Sequence, residues 1–220
     1  IINMKHVVIC TFIFPWEIDE LERLLIAMKE SSFFISDCKY TWSITLDLSD
    51  NRIDWNESKI PKEFFSAKFE TLKRYCDWCE PVFIVNTNTN CLGCADLRRN
   101  DLAKYKDCDA FIWLDTDMFF PKHILGVLSA TLNQIQTKYF LLTPEIIRYW
   151  DNSWDIITNK TFLTEPHDQR DRFDMLSVDV VSQNLEEPVI ETIGGIKFGG
   201  GWFTCISKDL LSLSGVPDFI

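Results

Sequence analysis

The stretch AFIWLDTDMFFP, residues 110–121, is an apolar run that ends in two carboxylates and then turns apolar again. On extended chain Asp115 and Asp117 point to the same side, roughly 6–7 Å from one another at ~3.3 Å per residue. Because like charges at that distance repel, we expect a cation near them. The pattern predicts a strand that delivers two acids to one end of a sheet. A polar turn that only caps the strand is the alternative.

Strand-like and helix-like patterns alternate through residue 143. Five apolar runs have the length of strands, and the segments between them carry apolar residues at three- and four-residue spacing. This order predicts an α/β fold, a mostly parallel central sheet flanked by helices, with its ligand site beyond the carboxyl ends of the strands. The five runs occupy residues 6–14, 40–50, 82–85, 110–114 and 138–143.

Within these runs, two details bear on the site. In residues 40–50 apolar side chains alternate with polar ones, which predicts that Asp47 lies on a polar face near the end of the strand. The run 82–85 is short and wholly apolar, which predicts a buried strand.

Composition predicts one globular domain. The chain has 220 residues, of which 46% are hydrophobic and 14% aromatic. Its net charge is −11 and its longest basic run is Arg98-Arg99, which argues against a nucleic-acid partner because phosphate neutralisation needs clustered Lys and Arg. No apolar stretch approaches the ~20 residues of a membrane span, so no transmembrane segment is predicted.

The N-terminal stretch MKHVVICTFIFPW, residues 4–16, mimics a short signal peptide but is not followed by a small-residue cleavage site. We interpret it as the first strand and predict a cytoplasmic protein. Two glycosylation sequons, at residues 56–58 and 159–161, leave a secretory compartment open.

Two of the cysteine spacings could belong to a zinc ribbon: Cys76 with Cys79, and Cys91 with Cys94. The predicted strand 82–85 lies between the pairs and should hold them about 20 Å apart at ~3.3 Å per residue. A ribbon needs a hairpin turn there, and the sequence has none. We therefore favour scattered reduced thiols over structural zinc.

The usual ligand motifs of α/β sheets are absent from the sequence. There is no Gly-x-Gly-x-x-Gly after the first strand, no phosphate loop that ends in Gly-Lys-Ser/Thr, and no Gly-x-Ser-x-Gly elbow. A dehydrogenase, a nucleoside triphosphatase and a serine hydrolase are therefore disfavoured. The acid pair suits a hard divalent cation with oxygen ligands, Mg²⁺ or Mn²⁺, that bridges to a diphosphate.

The segment NCLGCADLRRN, Asn90–Asn100, stands directly before the strand with the two acids. This arrangement resembles the GT-A fold of nucleotide-sugar glycosyltransferases, particularly family 2, in which an Asn-Gly…Ala-Arg-Asn helix precedes a strand ending in Asp-x-Asp. Here Leu97-Arg98 stands where the family has a small residue before the arginine. The resemblance covers most of the chain. It implies a single GT-A domain, residues 1–220, with a nucleotide-binding half at 1–120 and an acceptor-side half at 121–220.

The resemblance also implies roles for individual residues. Asp117 would bind Mn²⁺ or Mg²⁺ directly, and Asp115 would face the ribose or a water on the metal. Thr11 and Asp47, at the ends of the first two strands, match positions that contact the base and ribose, and Arg99 would approach the phosphates. On the residues alone, the last three have ordinary alternatives: a strand-end hydroxyl, a turn former and a solvated helix residue.

Five of the eight glycines fall within residues 194–201. Glycine at this density allows backbone to approach a ligand closely. The segment resembles the acceptor side of the same family, which implies that Gly200 and Gly201 form the floor under the donor sugar. Trp202 would be an aromatic platform for the donor sugar or the acceptor. A glycine-rich connector with a core tryptophan is the alternative.

The general base that would deprotonate the acceptor is not identified. In the resembled family it follows a segment like GVPDF, residues 215–219. The chain starts without methionine and stops at Ile220, so we expect a longer parent protein whose base lies beyond that residue, with Asp218 as a weaker candidate. His167 is a candidate metal ligand or acceptor contact, although a loop histidine is more often simply exposed.

The resemblance thus implies a metal-dependent glycosyltransferase of the hexosyltransferase class. It would move a sugar from a UDP- or GDP-sugar to a hydroxyl of a glycan, lipid or protein, with inversion as the family's usual outcome. A sugar-1-phosphate nucleotidyltransferase is one alternative, but it should carry a glycine-rich basic loop after the first strand, and TFIFPWE, residues 11–17, has neither. An inactive GT-A-like module that binds carbohydrate or a protein through its tryptophans is another.

Overall fold

The computed structural model describes residues 4–49, 61–87, 93–116, 118, 122–144, 176–181, 190–193 and 203–216. The strands are β1 (Lys5–Ile13), β2 (Cys38–Asp47), β3 (Glu80–Asn86), β4 (Ala110–Leu114), β5 (Phe140–Pro144), β6 (Leu176–Val181), β7 (Ile190–Ile193) and β8 (Phe203–Ser207). The helices are α1 (Ile18–Ser32), α2 (Lys62–Thr71), α3 (Cys94–Lys104), α4 (Ile124–Gln134) and α5 (Lys208–Ser214), with 3₁₀ turns at Pro15–Glu17 and Leu72–Tyr75.

These strands form one sheet in the order β3-β2-β1-β4-β8-β5-β6-β7. The first four are mutually parallel. Strand β8 runs against both β4 and β5, and β6 runs against both β5 and β7. Six of these eight strands therefore point the same way, and the predicted α/β fold, a central sheet flanked by helices, is confirmed.

Helices cover both faces of the sheet. The side chains of β1 show this, because alternate residues pack into two different cores. Val7 and Ile9 belong to a large core that also contains apolar residues of α1, α2 and α4. Val8 and Cys10 face the other side, in a smaller core with residues of α3 and α5. A strand buried on both faces reads as a continuous apolar run, which explains why β1 shows no alternation.

The alternating pattern of β2 correctly predicted a polar face, but that face is buried as well. Strand β2 lies between β1 and β3, and Ser43, Thr45 and Asp47 are at most 5% exposed. Because Ser43 Oγ donates to Asp101 Oδ1 of α3 at 3.0 Å, the polar residues face a helix and not solvent.

The prediction that residues 82–85 form a buried strand is correct for the strand but wrong for its burial. The strand exists, but β3 is the edge of the described sheet, and Ile84 is 37% exposed. Its extended course confirms that a strand, not a hairpin turn, follows the Cys76–Cys79 pair, whose thiols are both free. Cys91 and the side chain of Cys94 lie outside the described residues.

The membrane prediction can be compared with the helices. Within the described ranges, no helix combines the length and the apolar character that a membrane span requires.

Helices α1 and α4 pack closely at their contact. The backbone N–H of Leu125 in the first turn of α4 donates to Ser31 Oγ of α1 at 3.0 Å. A Cβ built on Gly126 would lie 2.7 Å from the Cβ of Phe34 and 2.8 Å from its carbonyl oxygen. Glycine at this position therefore lets the backbone that follows α1 touch α4.

Replacing that glycine tests the contact. Helix propensity alone would make Gly126→Ala stabilising by about 1 kcal/mol, but overlap with the Phe34 backbone should reverse the sign and cost about 1–3 kcal/mol. Urea unfolding followed by circular dichroism measures this. Ala130→Gly, at an exposed position of the same helix, is the control and should lose only about 1 kcal/mol through propensity. A Gly126→Ala protein more stable than the parent would contradict the contact.

Candidate functional site

The carboxyl ends of β1, β2 and β4 meet at one edge of the sheet, as parallel strands must. A cleft that is open to solvent lies there between the sheet and α3. Two of the predicted nucleotide-binding residues, Thr11 and Asp115, line it. The full lining consists of Cys10, Thr11, Phe12, Thr45, Leu97, Arg98, Asp101, Trp113, Leu114 and Asp115.

The acidic segment after β4 is held from α1. Arg23 donates through Nη1 to the carbonyl oxygen of Met118 at 3.0 Å and through Nη2 to that of Thr116 at 2.6 Å. The Thr116 hydroxyl donates to Glu17 Oε1 at 3.3 Å. Arg23 thus holds the backbone carbonyls of Thr116 and Met118, and Asp115 is exposed at the cleft.

Glu17 links this segment to the end of β1. Its Oε2 accepts a hydrogen bond from the backbone N–H of Phe14 at 2.7 Å, while Oε1 accepts from Thr116. One carboxylate therefore ties the chain that leaves β1 to the chain that leaves β4. The two strand ends on either side of the cleft are held in fixed relation.

Several predicted site residues lie outside the described residues, so their roles stay predictions. They are Asp117, His167, Gly200, Gly201, Trp202 and Asp218.

Asp47 lies where the resemblance implies, at the carboxyl end of β2, but its side chain is fully buried. Its Oδ1 accepts hydrogen bonds from the backbone N–H of Ser49 at 3.0 Å and from Asn86 Nδ2 at 2.9 Å. The carboxylate therefore ties the ends of β2 and β3 together. Its contact with a base or ribose stays a prediction.

Thr11 is also nearly buried, with 4% of its surface exposed. Its Oγ1 accepts a hydrogen bond from Trp42 Nε1 at 3.0 Å across β1 and β2. The residue lies at the cleft, while its hydroxyl is oriented by the tryptophan. Its contact with a nucleotide likewise stays a prediction.

The two neighbouring arginines of α3 differ in their surroundings. Arg99 Nη2 donates to Asp96 Oδ1 at 2.6 Å, and Arg99 Nη1 donates to the carbonyl oxygen of Val216 at 3.4 Å. The Arg99 hydrogen bond lowers the pKa of Asp96, whose other oxygen accepts from the backbone N–H of Gly93 at the start of α3. Arg98 instead lines the cleft, with its guanidinium 4.2 Å from the centre of the Trp113 ring.

The floor of the cleft holds a second carboxylate, Asp101, beside the thiol of Cys10. Burial raises the pKa of Asp101, although hydrogen bonds from Cys10 and Ser43 oppose the rise. Burial, reinforced by the charge of Asp101, raises the pKa of Cys10 well above the ordinary thiol value. Because only the thiolate is an effective nucleophile, Cys10 is a neutral part of the floor.

No role was predicted from the sequence for Arg23, Arg98 or Asp101. For Arg98 and Asp101 a signal was present: they are three residues apart on a helix and so share a face. Arg23 is an ordinary charged position on an amphipathic helix, and nothing local marks its contact with the segment after β4.

The chain matches no known protein-family model and no curated protein. Among solved structures it is similar to a UDP-glucose pyrophosphorylase complexed with UDP-glucose, with 9% identity and a TM-score of 0.33 over 66% of this chain and 64% of that one. It is also similar to a CMP:2-keto-3-deoxy-manno-octonic acid synthetase complexed with CTP, with 9% identity and a TM-score of 0.40 over 98% of this chain and 80% of that one. At these scores the similarities carry no argument about function.

Removing Arg23 tests whether it holds the acidic segment. Arg23→Ala should lower the free energy of unfolding by about 1.5–3 kcal/mol, because two hydrogen bonds from a charged donor are lost. Hydrogen exchange at the Thr116 amide should also become faster. Arg74→Ala removes an exposed ion pair to Glu22 and is the control; its effect should be much smaller. Equal losses for the two variants would contradict the anchoring role.

Proposed function

We propose that the protein is a metal-dependent glycosyltransferase of the GT-A fold that uses a UDP- or GDP-sugar as donor. One observation carries the proposal: Asp115 is exposed at a cleft on the carboxyl edge of parallel strands, on a segment whose backbone Arg23 holds. Ligands of open α/β sheets bind at this edge. A ligand there would meet a carboxylate on a segment whose backbone is held before binding.

The residues at the cleft fit a hard divalent cation. Asp115 supplies an oxygen donor of the kind that Mg²⁺ and Mn²⁺ prefer, and such ions complete their coordination with phosphate oxygens and water. In the part of the chain that the structure describes, no group of three or more His, Cys, Asp or Glu gathers for a metal. Asp115, Asp117 and the donor's diphosphate are the proposed ligand set. The bound ion would neutralise charge on the departing diphosphate.

The proposed reaction is a substitution at the anomeric carbon of the donor. The acceptor hydroxyl oxygen forms the new bond, the bond to the diphosphate breaks, and its electron pair leaves with the diphosphate. A base takes the hydroxyl proton, and Asp218 is a candidate for it. The described residues contribute by fixing the cleft and its charges in advance, which is electrostatic catalysis.

The loop after β1 supports this assignment over a nucleotidyltransferase. That class should have a glycine-rich, basic loop here. Instead the segment is aromatic: the Phe14 ring packs on Phe12 at 4.8 Å and stacks on Trp16 at 4.9 Å between centroids. Of these rings Phe12 lines the cleft, and the segment has neither glycine nor a cationic side chain.

Nucleotide binding tests the proposal. With Mn²⁺ present, UDP or GDP should raise the unfolding temperature, and at 100 times its dissociation constant the ligand should stabilise the fold by about 2.7 kcal/mol. The stabilisation should vanish with a chelator and in Asp115→Ala or Asp117→Ala. Asp107→Ala is the control, because Asp107 is an exposed acid that precedes the amino end of β4. This variant should respond like the parent.

The products then separate the alternatives. A glycosyltransferase releases UDP or GDP from the sugar nucleotide when an acceptor is added, whereas a nucleotidyltransferase releases pyrophosphate from a nucleoside triphosphate and a sugar-1-phosphate. If no nucleotide shifts the unfolding temperature with either metal, the proposal is wrong for this chain and the inactive binding module is favoured.

A further inference from the structure

We propose that Arg98, resting on the ring of Trp113, binds the diphosphate of the nucleotide in the cleft, in place of the neighbouring Arg99. This inference rests on the proposed function, because it assigns one residue to the phosphates of the proposed donor.

The first support is the direction of the side chains. Trp113 and Asp115 are two residues apart at the end of β4, and side chains at that spacing lie on the same side of extended chain. Both line the cleft, and so does Arg98. The Arg98 guanidinium therefore lies on the side of β4 that carries the acid proposed to bind the metal.

The second support is how Arg98 is held. A guanidinium 4.2 Å from the centre of an indole ring is stabilised by cation–π attraction and stacking. Stacking uses the face of the guanidinium and leaves the N–H donors around its edge available. Those donors match two phosphate oxygens, which arginine binds in a bidentate manner.

The third support is the pairing of charges on α3. Asp101 lies three residues after Arg98, a spacing suited to an ion pair, yet its Oδ1 accepts from Ser43 on β2. Within the described ranges Arg98 has no ion pair, whereas Arg99 is bonded to Asp96 and to the Val216 carbonyl. To bind Arg99, a phosphate would therefore have to displace these bonds. To bind Arg98, it would have to displace none of them.

The charge balance of the cleft indicates why a cation is needed. Among the lining residues are two carboxylates, Asp101 and Asp115, and one guanidinium. The whole chain has a net charge of −11. A diphosphate would be repelled by these carboxylates, so neutralisation depends on Arg98 together with the proposed metal. The uncharged nucleobase of a nucleoside would gain far less binding energy from the guanidinium.

The experiment compares three variants of α3. Dissociation constants for UDP, GDP, uridine and guanosine are measured by titration calorimetry at fixed Mn²⁺ and at two salt concentrations. Arg98→Ala should weaken diphosphate binding by at least about tenfold and leave nucleoside binding within about twofold. Its diphosphate binding should also depend less on salt. Arg99→Ala should weaken diphosphate binding far less than Arg98→Ala.

Lys104→Ala is the matched control. Lys104 is an exposed cation on the same helix, and it too rests on an aromatic ring, 5.0 Å from the centre of Tyr105. It does not line the cleft. If the loss of any positive charge from α3 weakened binding, Lys104→Ala would also bind the diphosphates more weakly. If Arg98 contacts the phosphates, Lys104→Ala should bind them as tightly as the parent.

Trp113 is a positioning residue in this account. Trp113→Phe keeps a ring under the guanidinium and should retain most of the diphosphate affinity, whereas Trp113→Leu should lose most of what Arg98→Ala loses. Combining Trp113→Leu with Arg98→Ala should add little further loss, because both changes remove one interaction. Fully additive losses would show that Trp113 does not act through Arg98.

The outcomes are distinguishable from a failure of the proposed function. If the parent binds UDP or GDP and Arg98→Ala binds equally well, the assignment of Arg98 is overturned while the proposed function stands. If Arg99→Ala shows the larger loss, the role belongs to Arg99. If the parent binds neither diphosphate, both proposals are overturned.

Discussion

The parallel pairing of β1 with β2 and β4 determines how the helices are arranged and where the cleft lies. It requires cover on both faces, which α1, α2 and α4 supply on one side and α3 and α5 on the other. It also brings the carboxyl ends of neighbouring strands to one edge of the sheet. A helix that lay across this edge would close the cleft. Polar groups, which would be costly to bury inside the sheet, lie at this edge. The chemistry proposed for the protein depends on their being close together there.

An acidic protein that is proposed to bind an anionic donor must offset its own charge locally. The described residues do this in two ways. Arg23 uses its guanidinium to hold the carbonyls beside the acids, which fixes the segment after β4. Arg98 keeps its guanidinium at the cleft, stacked on Trp113. One arginine therefore builds the site, and the other is available to a ligand.

The sequence allowed β1 to β5, the helices between them and the position of Asp115 to be predicted, because apolar runs and helical spacing are local signals, whereas β6 and β7 were not predicted. The exposure of Ile84 could not be predicted, since the edge position of β3 depends on strand order. Neighbouring helix residues point about 100° apart, so choosing between Arg98 and Arg99 required knowing which face of α3 meets the sheet. The contacts of Arg23 are tertiary and leave no local trace.

A metal and a nucleoside diphosphate are proposed to bind together at the carboxyl edge of β1, β2 and β4. Paramagnetic broadening by Mn²⁺ in the amide NMR spectrum, with UDP or GDP present, tests it most directly. We expect strong broadening at Thr11, Arg98 and Asp115, and sharp signals at Lys5 and Asp109 at the opposite edge. Broadening centred on the opposite edge, or none that depends on the nucleotide, would contradict it.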